Sequence, residues 1–109
     1  MADRELLELA AKAAGMGDGE YCEPNHEPAI YFKPCIFWSP LTDDGDALRL
    51  AVKLQLVIMH AINCAAVTRD DLLDQIERYN GDPCAATRRA IVRAAAAIGR
   101  SESQAGGVA

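Results

Sequence analysis

A run of alanines held between a proline and a glycine constrains this chain more than any other feature. From Ala85 to Ile98 the sequence reads AATRRAIVRAAAAI, preceded by Asp82-Pro83 and followed by Gly99. Alanine has the highest helix propensity, aspartate is a favoured cap, and proline costs nothing at a first helical position. The pattern predicts a closing helix with Asp82 as N-cap, Pro83 as first residue and Gly99 as a left-handed stop. At about 100° per residue, Cys84, Thr87, Ile91, Ala94, Ala95 and Ile98 share one face, and Arg89 and Arg93 fall almost opposite. Residues 101–109 have no apolar pattern, so one domain over 2–100 with a disordered tail is expected.

Composition fits that picture. The chain has 109 residues, half of them hydrophobic and only six aromatic. Alanine dominates the apolar half, so the core should be thin, with a stability of about 5 kcal/mol. A net charge of −5 opposes non-specific attraction to nucleic acid or anionic lipid and suits a basic partner. Asp3, Glu5 and Glu8 interrupt any apolar stretch at the N-terminus, which excludes a signal peptide. No apolar run reaches the roughly 18 residues that a membrane helix needs. The host-cell cytoplasm, with four reduced cysteines, is the expected setting.

Earlier segments alternate between the two periodicities. Leu6, Leu9, Ala10 and Ala13 predict a first helix, capped by Asp3 and ended by Gly15. Pro24 and Pro28 predict an irregular connection over Glu20–Pro28. Ala29–Trp38 is a strand, at an edge or bulged where Pro34 has no N–H to give. Thr42 or Asp43 caps a second helix, whose stripe is Ala47, Leu50, Ala51 and Leu54, with Leu48 and Val52 flanking it. Leu54–His60 reads as a strand, Ile62-Asn63 as a turn, and Ala65–Thr68 as a return strand. Over 69–79 propensity favours helix, although Leu73, Gln75, Glu77 and Tyr79 alternate as a strand would. Asn80-Gly81 is a turn.

Two stretches carry a resemblance. Ile36–Leu54 runs IFWSPLTDDGDALRLAVKL, an aromatic-x-Pro turn before a helix opened by acids. Asp82–Ala95 runs DPCAATRRAIVRAA, a helix begun by a Pro-Ala-Ala-x-x-Arg-Ala type of segment. Together they resemble small hypothetical proteins of tailed bacteriophages and prophages with a phage ABA sandwich domain. The resemblance implies an antiparallel sheet covered by helices, and it favours a strand at Leu73–Tyr79. It implies no catalytic residue. The fold class expected is therefore α+β, with a small sheet of about three to four strands covered by about three helices.

Few constellations could carry chemistry. Cys22 with His26, and His60 with Cys64, form two pairs spaced by four that could supply the ligands of a structural zinc. The competing explanation is a core cysteine with a core or interface histidine, His60 and Cys64 facing inward with Leu56, Ile58 and Ile62. Cys84 is expected to be buried packing, and no cysteine is expected to act as a nucleophile. Asp43, Asp44 and Asp46 are explained by helix capping. Asp70, Asp71, Asp74 and Glu77 form a second acidic run, and Glu20, Glu23 and Glu27 a third, either of which could face a basic protein. Arg88, Arg89, Arg93 and Arg100 form a basic ridge that could grip phosphates, although a solvated face is the simpler expectation.

These features lead to a non-catalytic accessory protein of phage or prophage origin. It would need no cofactor and would act on a host or phage protein, with counter-defence of the anti-CRISPR kind as one version. The alternative is a small nucleic-acid- or zinc-binding module. Direct nucleic-acid binding and a membrane role are not expected.

Overall fold

The computed structural model describes residues 2–69 and 75–108, with side chains as far as Glu102. The first helix, α1, spans Asp3–Ala13 and buries Leu6, Leu7, Ala10 and Ala11. Asp3 is not its cap. It is the first helical residue, Ala2 occupies the cap position, and the Asp3 carboxylate turns to Arg89 instead.

Strands β1 (Glu20–Cys22), β2 (Ala29–Phe32) and β3 (Ile36–Trp38) form an antiparallel sheet in that order. The connection expected to be wholly irregular thus contains a strand, because its first proline comes only after Cys22. The strand expected over Ala29–Trp38 is two strands. The chain reverses over Lys33-Pro34-Cys35, and Phe32 pairs with Ile36 across the turn. A proline that cannot donate to a ladder sits comfortably in such a turn. Ile30 and Trp38, side by side in register, point into the core.

Helix α2, Asp44–Lys53, is opened by Asp43, whose carboxylate accepts from Asp46 N–H at 2.8 Å. Ser39 N–H donates to the Asp46 carboxylate at 2.9 Å, which fixes the approach from β3. The expected stripe of Ala47, Leu50, Ala51 and Leu54 is buried, while Leu48 and Val52 face outward. Leu54 caps the helix and Gln55 takes a left-handed φ of 56°. The next strand therefore begins at Val57 rather than Leu54.

Strands β4 (Val57–His60), β5 (Cys64–Thr68) and β6 (Gln75–Arg78) form a second antiparallel sheet, again in sequence order. The ambiguous segment is strand over 75–78, in register with β5; its residues 70–74 lie outside the described part. Among the described residues the class is α+β, with three α-helices as expected and the strands divided between two three-stranded sheets.

Helix α3 spans Pro83–Val108. Asp82 caps it as expected, accepting from Ala85 N–H at 3.0 Å. Gly99 does not stop it, and the helix continues across 101–108, the stretch expected to be tail. Gly99 has no left-handed φ. It packs directly against the backbone of α1. A Cβ built there would lie 2.9 Å from the carbonyl carbon of Leu9 and nearer still to its oxygen. Small residues let two helix backbones approach in this way, and no side chain fits between them here.

Burial on α3 extends well beyond the face predicted from spacing. Ala86, Ala90, Val92 and Ala96 are buried along with Ile91, Ala94, Ala95 and Ile98. A helix apolar over most of its circumference belongs inside. Accordingly, α3 contacts α1, α2, β5 and β6, while α1 reaches the first sheet through β2.

Gly99→Ala separates the two roles of that residue. In an exposed helix interior the change would stabilise by about 1 kcal/mol. Against the Leu9 backbone it should instead destabilise by about 3 kcal/mol, as overpacking does. Chemical denaturation reads the sign.

Candidate functional site

The four proposed metal ligands do not assemble. Cys22 ends β1 and His26 lies exposed in the turn after it, whereas His60 and Cys64 flank the tip of the β4–β5 hairpin. Among the described residues no three His, Cys, Asp or Glu side chains are placed to hold an ion. His60 lies on the inward face opposite Ala65 but is exposed at the sheet rim, whereas the inward placement expected of Cys64 and Ile62 fails: Cys64 pairs with Arg78 on the outward face, and Ile62 at the hairpin tip is wholly exposed.

Cys84 is exposed rather than buried. It lies in the first turn of α3, before α2 and β4 close over the helix, on the wall of an apolar cleft of about 270 Å³ that also contains Leu48, Ile58 and Ile91. His60 and Thr87 share that cleft, with Nε2 and Oγ1 3.0 Å apart. The Thr87 hydroxyl gives its one proton to Pro83 O at 2.8 Å. The His60–Thr87 contact thus joins the rim of β4 to the first turns of α3.

The basic ridge is spent inside the molecule. Arg88 Nη1 lies 2.5 Å from Asp44 of α2, and its Nε donates to Leu41 O at 2.9 Å. Arg89 meets Asp3 of α1 at 3.2 Å, Arg93 meets Glu77 of β6, and Arg100 meets Glu5 of α1 at 2.7 Å. Carboxylates of α1, α2 and β6 meet them, so these guanidiniums fasten elements together instead of forming a free phosphate grip. Glu77 is correspondingly lost to the proposed acidic surface. It pairs in register with Ala65 on the inward face of the second sheet. Asp70, Asp71 and Asp74 lie outside the described residues.

Carboxylates without an ion pair among the described residues gather elsewhere. Apart from the cap Asp82 and the helical Glu102, they are Asp18, Glu20, Glu23 and Glu27, in and around the first sheet. Of these, Glu23 acts on Tyr21. A hydrogen bond from its hydroxyl to Glu23 at 2.8 Å, followed by desolvation and the Glu23 charge, pushes the phenol up to about 12.

Both sheets present an outward row fixed by register. On the first, Glu20, Tyr31 and Phe37 stand side by side across three strands, with the two rings 5.1 Å apart. On the second, the row is Met59, Ala66 and Ile76, with Val57 beside it. Met59 is 53% exposed, Ile76 59% and Val57 50%. Directly opposed residues share a face, so these rows are continuous. Alternation of Val57 and Met59 against Ile58 and His60 is the sequence signal for the second row. It is too short to distinguish a solvent face from a core face.

A double-mutant cycle tests whether the ridge is engaged. Arg93→Ala and Glu77→Ala should couple by about 1 kcal/mol in thermal or chemical unfolding; additive effects would mean that Arg93 is free. No family model, curated protein or solved structure matches the chain.

Proposed function

We propose that the chain is a non-catalytic interaction protein of phage or prophage origin, acting on a host protein through the outward face of its second sheet. The observation that carries this reading is the Met59–Ala66–Ile76 row with Val57, a contiguous apolar patch on a small protein. Patches of this kind mark protein contacts more often than isolated exposed residues do. Arg78, opposite Cys64, is the one charged residue among the described outward positions of these strands, and it has no ion pair among the described residues. The partner surface that fits is apolar with a carboxylate at its rim.

Counter-defence in the host cytoplasm is the version we favour, supported by the resemblance to phage proteins. The nucleic-acid alternative loses ground because Arg88, Arg89, Arg93 and Arg100 are each paired with a carboxylate. The zinc alternative loses ground because its ligands are split between two sheets.

Expression in a bacterium carrying an active CRISPR-type system should restore plaque formation by a targeted phage. Met59→Asp/Ile76→Asp should abolish the restoration while the melting temperature stays within a few degrees. No restoration by the parent chain would remove the counter-defence version. Undiminished restoration by the double variant would remove the surface.

A further inference from the structure

The first sheet carries a surface of different chemistry, independent of the one just assigned. Tyr31 and Phe37 stack on its outward face, and Phe37 is 54% exposed. Glu20 stands in the same row. Beside them a cleft of about 480 Å³ is lined by Asp18, Glu20 and Tyr31, with Lys33 and Met16 also on its wall. Neither carboxylate has an ion pair among the described residues, whereas Asp3, Glu5, Glu8, Asp43, Asp44, Asp46 and Glu77 each face an arginine. Among the described carboxylates without an ion pair, Asp18 and Glu20 are the two that stand beside the exposed aromatic pair.

We propose that the outward face of β1–β2–β3 docks an arginine- or lysine-bearing segment of a protein partner, its cation held between the Asp18 and Glu20 carboxylates and against the Tyr31–Phe37 rings. Aromatic faces attract cations through their quadrupole, and carboxylates without an internal partner complete the recognition. Bare carboxylates at the cleft repel phosphate, so charge complementarity selects a basic protein segment over nucleic acid. Lys33 opposes an incoming cation, which gives the surface a polarity that mutation can reverse.

The test is fluorescence anisotropy with a fluorescein-labelled peptide of alternating arginine and leucine, at low and at physiological salt. Glu20→Gln and Phe37→Ala should each weaken binding by about fivefold, and Lys33→Glu should tighten it. Asp82→Asn removes the same charge as Glu20→Gln at a distant helix cap and should leave binding within about twofold. Amide shifts of the parent protein on adding peptide should centre on Asp18, Glu20, Tyr31 and Phe37. Equal losses from Glu20→Gln and Asp82→Asn, shifts spread over the whole surface, or no binding would overturn the proposal. So would a concentration-dependent dimer of the parent chain that Glu20→Gln abolishes, since the occupant would then be a second copy.

Discussion

The contact between the backbone of Leu9 and Gly99 is the constraint on which the rest of this molecule depends. A chain with so few large apolar residues cannot fill a wide gap between elements. Its stability has to come from bringing backbones close and surrounding them with alanine. Gly99 permits that approach, and Ala10, Ala94, Ala95 and Ala96 are almost completely buried. With α1 seated on one side of α3, the other sides remain for α2 and the second sheet.

The arginines of α3 complete the same arrangement. Arg89 and Arg100 hold α1, Arg88 holds α2, and Arg93 holds β6. Exposed pairs of this kind contribute little individually, typically under about 1 kcal/mol. Their collective effect is specificity. Each ties a different element to one helix, which discourages alternative dockings of a smooth alanine surface. The same pairing removes the most evident basic feature of the sequence from the list of nucleic-acid contacts.

Much of this was legible in the sequence, and what was not has identifiable causes. Caps at Asp43 and Asp82 were legible because a short acidic side chain before a helix has one dominant use. The stripe of α2 was legible because leucine and alanine alternate there with charge. Gly99 was not, since glycine at a helix end and glycine at a helix crossing look identical in one dimension. Pro34 marked a break in a strand but could not say that the chain reverses there. Cys84 shared a helical face with Ile91, but it stands in the first turn of α3 on the open wall of a cleft. For the candidate sites the limit was sharper. Whether Arg93 or Glu77 faces solvent depends on a partner far along the chain, and the two outward rows exist only once three strands pair. The carboxylates of Asp18 and Glu20 stand out only once Asp3, Glu5, Glu8, Asp43, Asp44, Asp46 and Glu77 are seen facing arginines.

The central claim is that α3 is a buried helical strut continuous through Gly99, to which α1, α2 and the second sheet are fastened. Native-state hydrogen exchange measures this residue by residue. The account predicts that the amides of α3 from Ala90 to Arg100 are among the slowest in the molecule. It also predicts that they open together with those of Ala10 and Ala11 in α1, with no loss of protection at Gly99. Rapid exchange beginning at Gly99, or α1 opening at far lower free energy than α3, would contradict it.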